Sequence, residues 1–185
     1  MYLPGHLSAA VLAAGVLTLR SGGVVPAGQG VRRSTLLLTV LLPAALGGVT
    51  PDLIDKSILA LGGSVYGRTI GHSLLFLGGV TAAWVLVRRL GPAGLGRPVG
   101  FWALGVASHL AADVADDALR GLLRGGIVGS SWFAWPLATP YAYVLRNREP
   151  WGGWPWPWTP LEGIVVAAAL AFLVWRFEVW RLRRP

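Results

Sequence analysis

Five apolar stretches run along the chain, separated by short groups of arginine, glycine and proline. A helix that crosses a membrane needs about 20 mostly apolar residues, and glycine and proline mark the ends of such helices. The stretches cover roughly 7–19, 34–49, 72–87, 99–119 and 161–175, and the first is short for a crossing. The pattern predicts an all-α, polytopic transmembrane helical bundle with about five crossings.

Proline marks the predicted end of the second helix. Thr50–Pro51 follows its last apolar residues, and proline lacks a backbone donor and biases its predecessor away from helix. Further on, Ile58–Leu61 lies between Lys56 and Gly62 and is too short to span a bilayer. We therefore expect a separate amphipathic or re-entrant piece within residues 56–70.

A segment rich in tryptophan and proline, about 125–160, separates the fourth and fifth apolar stretches. Indole rings favour the boundary between lipid and water, so this segment is expected to lie on the membrane surface. No hydrophilic block is long enough to form a second domain. Residues 1–185 are therefore predicted to form a single integral membrane domain.

Composition supports a membrane protein. Hydrophobic residues make up 54% of the 185 positions and charged residues 13%, and the mean hydropathy of +0.59 is above that of ordinary soluble domains. The net charge of +8 comes from arginines clustered between apolar stretches, which is how membrane topology is set. The lipid bilayer is thus the expected partner, and nucleic acid is excluded. Because cysteine is absent, thiolate metal sites and disulfides are excluded too.

The arginines also predict an orientation. With five crossings and the N-terminus outside, ten arginines lie on the inner face and six basic residues lie on the outer face. Short loops rich in basic residues favour the cytoplasmic side. The C-terminus is therefore expected to be cytoplasmic.

Polar residues of the apolar stretches fall at helix ends that this topology places on one face of the membrane. Imidazole and carboxylate groups are costly beside lipid unless they are paired, hydrated or bound to a cation, so they are functional candidates. The residues are His6, Asp52, Asp55, His72, His109 and Asp113. A shared site on that face is therefore predicted.

Spacing and ligand type indicate a metal. His109 and Asp113 are four residues apart, and Asp52 and Asp55 are three apart, so each pair shares one face of a helix. Imidazole and carboxylate ligands without sulfur suit Zn²⁺, Mn²⁺ or Fe²⁺. We predict a divalent metal cofactor, Zn²⁺ by preference and Mn²⁺ or Fe²⁺ as alternatives. The predicted ligands are His6, Asp52, His72, His109 and Asp113.

Simpler interpretations exist for each element. His6 and His72 are compatible with interfacial or capping roles at helix ends. Asp52 and Asp55 can cap a helix N-terminus and offset a basic residue such as Lys56.

Two more acids continue the polar stripe of the fourth helix. Asp116 and Asp117 precede Arg120 by four and three residues. Such spacings favour ion pairs on a helix surface, so both acids are expected to pair with Arg120 or to be solvated.

The order of these motifs resembles that of a known family. The resemblance spans about residues 4–137 and rests on an N-terminal histidine followed by four short motifs. They are His6, Pro51-Asp52-Leu53-Ile54-Asp55, Arg68 to His72-Ser73, His109 to Asp113, and Trp135-Pro136. In this order and membrane context they are similar to the YdjM-like family of inner-membrane metal-dependent hydrolases. The resemblance implies a multi-pass inner-membrane protein with a metal-hydrolase site.

Three positions depart from the family pattern. The acids here are Asp52 and Asp55, whereas the family commonly has Pro-Asp-x-Asp. Gly67 stands where a histidine often precedes the arginine, and Gly71 where a threonine often precedes the second histidine. The missing histidine removes one candidate ligand from the site.

The predicted reaction is metal-assisted hydrolysis of a small or lipid-like substrate, such as a phosphoester or a lipid-linked group. In this hypothesis the metal lowers the pKa of bound water, Asp55 accepts its proton as general base, and Arg68 binds an anionic substrate group. Two alternatives are a membrane scaffold or interaction protein with a structural polar cluster, and a conduit for protons or small cations.

Overall fold

The computed structural model describes residues 3–20, 36–63, 68–124, 136 and 160–182. Within them the chain forms five helices and no strand, which confirms the all-α fold class. We name the helices α1 (Leu3–Arg20), α2 (Leu37–Ala60), α3 (Leu74–Leu90), α4 (Gly96–Arg124) and α5 (Pro160–Leu182). Helix α2 begins as a π-helical turn, Leu37–Leu41, and continues as α-helix from Leu42.

One of the described helices is clearly long and apolar enough to cross a membrane. This helix is α2, with 24 residues and a mean hydropathy of 1.7 in its most apolar window. Shorter apolar stretches lie within α1, at Gly5–Thr18, and within α5, at Gly163–Trp175. The count of five crossings therefore stays a prediction.

The predicted end of the second helix at Pro51 is wrong, because α2 continues through this proline to Ala60. Proline removes one helical hydrogen bond, and two contacts lie beside the turn that lacks it. The hydroxyl of Thr50 donates to the carbonyl of Leu46 at 2.7 Å, and Gly71 packs so closely that a Cβ there would lie 2.9 Å from the Cα of Pro51.

This continuation changes the local structure predicted for the following residues. The expected separate amphipathic or re-entrant piece within 56–70 is also wrong, because residues 56–60 form the last turn of α2. A short turn and an irregular segment, 68–73, then lead to α3. Asp52 and Asp55 consequently lie on one face of a helix, as their spacing indicated.

Helix α4 is central to the bundle, since it contacts α1, α2 and α3, while α5 packs on α1. One apolar cluster joins α3 to α4 through Val80, Ala103, Val106 and Leu110. A second joins α1 to α2 through Ala14, Val40 and Ala44.

Glycines let the backbones of α2 and α4 touch. A Cβ on Gly47 would collide with the carbonyl oxygen of Trp102, and a Cβ on Gly105 would collide with that of Ala44. On the other side of α2, a Cβ on Gly48 would lie 2.8 Å from the Cβ of Ala10 in α1. The close approach draws together the start of α1, the C-terminal half of α2 and the middle of α4, where candidate site residues lie.

We expect Gly105→Ala to destabilise the protein, by about 1–3 kcal/mol, because the added methyl group must push α2 away from α4. The matched control is Gly79→Ala in α3, where a new Cβ meets no atom within 4 Å. There the better helix propensity of alanine should leave stability unchanged or raise it by up to about 1 kcal/mol. Denaturant titration of both variants in detergent measures the difference. Equal effects would contradict the close helix contact.

Candidate metal centre

The structure brings together the side chains that the sequence placed on one face of the membrane. His6 comes from α1, Asp52 and Asp55 from α2, His72 from the segment before α3, and His109 and Asp113 from α4. All six are buried, with at most 8% of each residue exposed. Two sets of three residues have possible ligand atoms within 4.8 Å of one another, and the sets share His109. They are His6, His109 and Asp113, and Asp52, His72 and His109.

The orientation of His109 is set by α2. Its Nδ1 lies 2.7 Å from the carbonyl oxygen of Gly48. A carbonyl can only accept a hydrogen bond, so Nδ1 carries a hydrogen and donates it. In the neutral ring, Nε2 then has a lone pair that points into the cluster.

His72 is oriented in the same way by Asp55. The Nδ1 atom of His72 lies 2.7 Å from Oδ2 of Asp55. The same carboxylate accepts from the backbone N–H of Thr69 at 2.6 Å, its hydroxyl at 2.9 Å and the N–H of Gly71 at 2.9 Å. Both carboxylate oxygens are thus engaged as acceptors, and His72 donates through Nδ1. Its Nε2 also points into the cluster.

As a result, the Nε2 atoms of His72 and His109 face each other at 3.1 Å. If both rings are neutral, two lone pairs point at each other, which is unfavourable unless a proton or a cation lies between them. Asp113 completes this pair, with its Oδ2 atom 3.3 Å from Nε2 of His72 and 3.7 Å from Nε2 of His109. A positive charge is therefore strongly favoured at this point.

Two further candidate ligands approach the same point. The His6 ring stacks on His109 with centroids 3.6 Å apart, and its Nε2 lies 3.4 Å from Oδ1 of Asp113. On the other side, Oδ1 of Asp52 lies 3.7 Å from Nε2 of His72. Three imidazoles and two carboxylates without sulfur fit a divalent transition metal. Fixing a histidine through its other ring nitrogen is typical of metal ligands.

Arg68 contacts two carboxylates of α4. Its Nη2 lies 3.0 Å from Oδ1 of Asp113, and its Nη1 lies 2.8 Å from Oδ2 of Asp117. Burial by itself would lower the pKa of the Arg68 guanidinium, but these carboxylates hold that pKa above its usual value. Arg68 therefore fixes the orientation of Asp113, and the 26% exposure of its side chain leaves it able to meet an anionic group from outside.

The structure adds a partner for one of the two acids beyond Asp113 and shows that both are buried. Asp117 pairs with Arg68, a residue 49 positions away, because the 68–73 segment packs on α4. Asp116 and Asp117 are 2% and 4% exposed, so neither is solvated. The pairing of both acids with Arg120 stays a prediction, because the Arg120 side chain lies outside the described residues.

The structure also tests the simpler interpretations, in which these residues cap helices or form ion pairs. Asp52 and Asp55 lie near the C-terminal end of α2, so they do not cap a helix N-terminus, but Asp52 does pair with Lys56 at 2.6 Å. The cap of α3 is Ser73, whose hydroxyl accepts from the N–H of Phe76 at 3.1 Å, and not His72. A serine directly before an apolar run was the signal that could have identified this cap.

Other functional contacts had no clear sequence signal. The carbonyl of Gly48 and the backbone N–H groups of Thr69 and Gly71 orient the site, but any residue supplies such groups. Gly67, Trp135 and the Trp-rich segment, apart from Pro136 and Pro160, lie outside the described residues.

Arg68 provides a test of the polar network. We expect Arg68→Gln to destabilise the protein by about 3–5 kcal/mol, because it takes the cation away from two buried carboxylates. The matched control is Lys56→Gln, since the Lys56 side chain is 59% exposed and its pair with Asp52 should contribute about 1 kcal/mol or less. Denaturant titration of both variants checks this, and a cost for Arg68→Gln no larger than for Lys56→Gln would contradict the buried network.

Comparison with known proteins was informative at the level of the family. Residues 1–183 match the family described as YdjM inner membrane protein. No curated protein and no solved structure matches the chain. The family match confirms the resemblance seen in the motifs and supports an inner-membrane location. Because it covers nearly the whole chain, this protein belongs to the YdjM inner membrane protein family.

Proposed function

We propose that this protein is a membrane-embedded, metal-dependent hydrolase of the inner membrane. The proposed ligands of its divalent metal are His6, Asp52, His72, His109 and Asp113. The observation that carries the proposal is the pair of Nε2 atoms of His72 and His109, which face each other at 3.1 Å while both Nδ1 atoms are held by acceptors.

A metal explains more of this geometry than a shared proton does. A proton between His72 and His109 would satisfy two nitrogens. It would attract Asp113, but it would not account for His6, which belongs with His109 and Asp113 to a second set of possible ligand atoms within 4.8 Å of one another. Nor does a structural ion-pair cluster require two imidazole nitrogens to face each other. The donor set is therefore better suited to a cation than to either alternative.

When bound, a divalent metal would supply a hydroxide-like water at neutral pH. The residues of the chain prepare the site for it. Asp55 orients His72 and increases the basicity of its Nε2, and Arg68 fixes Asp113. Asp52 accepts a hydrogen bond from the exposed Lys56 through one oxygen, and its other oxygen would complete the ligand set.

This geometry favours a different role for Asp55 from the one that the sequence suggested. A general base must reach the proton that it removes. Asp55 instead lies behind the His72 ring, with both oxygens engaged by Thr69, Gly71 and His72. We propose that Asp55 is a positioning residue that fixes the tautomer of His72.

The substrate class follows from the site's surroundings. Arg68 lies next to Asp113 and is partly exposed, so it can bind an anionic group close to the proposed metal. In a membrane protein this suits a phosphoester or a lipid-linked substrate. The conduit alternative receives less support, because the opposite half of α4, from Val99 to Val106, presents no charged side chain.

Metal content tests the proposed site directly. We expect the wild-type protein, purified without chelators or reconstituted with Zn²⁺, to bind metal stoichiometrically and His109→Ala to lose most of it. The control is Ser108→Ala, because the Ser108 hydroxyl donates to the carbonyl of Gly105 within α4 and is not a candidate ligand. Elemental analysis measures all three. Absence of metal from the reconstituted wild type would favour the scaffold alternative.

A second test separates the two possible roles of Asp55. A positioning residue behind a histidine ligand predicts that Asp55→Asn weakens metal affinity by about 10–100-fold, with turnover largely restored at saturating metal. Loss of a general base predicts turnover lower by about 10²–10⁴-fold at any metal concentration. Metal titration and hydrolysis of a panel of phosphoesters and lipids, on the same folded preparations, distinguish these outcomes. Turnover that stays low at saturating metal would contradict the positioning role and support Asp55 as the general base.

A further inference from the structure

A large apolar groove runs along α3 and α4, from the loop that joins them back to Leu77 and Ala107. It has a volume of about 720 Å³ and is bounded by α3, α4, the loop that joins them and the C-terminal part of α1. Its apolar wall includes Leu17, Leu77, Trp84, Phe101 and Leu104. Pockets that hold ligands typically measure about 300–1,000 Å³, so the groove has room for an extended apolar chain.

Basic side chains line one end of this groove. Arg88, in the last turn of α3, and Arg97, in the first turn of α4, both line it and are both exposed. No acidic residue is among the described residues that form its wall. An apolar trough with cationic side chains at one end is complementary to a molecule with an apolar tail and an anionic head.

Trp84 packs beside the basic end of the groove. Its indole N–H donates to the carbonyl of Gly96 at 3.1 Å, and the Arg88 guanidinium lies 5.9 Å from the centre of its ring. A Cβ on Gly100 would lie 2.6 Å from the indole nitrogen, so glycine allows the ring to lie against α4. Tryptophan and arginine at the end of an apolar helix are typical of the headgroup level of a bilayer.

We propose that this groove binds an anionic phospholipid, with one acyl chain along its apolar wall and the phosphate between Arg88 and Arg97. The apolar wall of the groove and the inner-membrane family of this chain favour an acyl chain as the apolar partner. The basic residues then select an anionic headgroup over a zwitterionic one. The proposed phosphate position at Arg88 lies about 20 Å along α3 from Leu74, the first residue of the helix, since 14 residues rise about 1.5 Å each. It does not depend on the proposed metal or reaction.

Native mass spectrometry of the full chain in neutral detergent tests the proposal. The probes are phosphatidylglycerol and phosphatidylcholine with the same acyl chains. We expect the wild type to prefer phosphatidylglycerol, and the double variant Arg88→Gln/Arg97→Gln to lose roughly fivefold in affinity per arginine. The matched control is Arg89→Gln, which removes a neighbouring exposed arginine that does not line the groove and should keep the preference.

A second pair of variants tests the apolar wall without changing charge. Thr81 lines the groove and is exposed, so Thr81→Phe should fill it and reduce binding of both lipids. Ala82→Phe, on the next residue and outside the groove, should have no effect. Unfolding curves equal to wild type are required of each variant, so that loss of binding reports on the groove.

Three results would overturn the proposal. The first is equal phosphatidylglycerol binding by wild type and the arginine double variant. The second is displacement of the lipid by millimolar inorganic phosphate alone, which would indicate a site for a free anion. The third is efficient disulfide formation between copies of Thr81→Cys, with no lipid bound, which would show that a second copy covers the groove. The absence of native cysteine makes this last measurement clean.

Discussion

The contact between the backbones of α2 and α4 is the constraint on which the site depends. Gly47 and Gly105 allow it, because a Cβ at either position would collide with a carbonyl of the facing helix. At this separation the carbonyl of Gly48 reaches Nδ1 of His109 at 2.7 Å. A histidine buried in an apolar bundle is costly without such a partner. The packing of small residues therefore determines which ring nitrogen of His109 faces the cluster.

The polar network also holds the tertiary structure together. Asp55, near the end of α2, accepts three hydrogen bonds from Thr69 and Gly71 and one from His72, and so fixes the irregular 68–73 segment against the helix. Arg68 ties the same segment to α4 through Asp113 and Asp117. Removing one partner from such a network leaves a buried charge without compensation, which is strongly destabilising. Site geometry and fold stability are thus coupled, and every test of chemistry needs a test of folding.

Sequence reasoning predicted the helices and the convergence of the polar residues, because hydrophobic periodicity and topology are encoded locally. It failed where tertiary contacts override local preference. Pro51 does not end α2, which continues to Ala60 while the chain at Gly71 packs closely against this proline. Asp117 pairs with Arg68, a residue distant in sequence that no helix spacing indicates. The position of Asp55 behind His72 likewise follows from a loop whose path no spacing rule specifies.

The α3–α4 hairpin has different chemistry at its two ends, and this limits how they can cooperate. The metal centre lies near the start of α3, whereas Arg88 and Arg97 lie near the α3–α4 loop, about 20 Å away. The apolar cluster of Val80, Ala103, Val106 and Leu110 separates them. A phospholipid whose phosphate sits between the arginines cannot present that phosphate to the metal. If both proposals hold, the lipid phosphate and the anionic group of the substrate occupy separate positions, the first between Arg88 and Arg97 and the second beside Arg68.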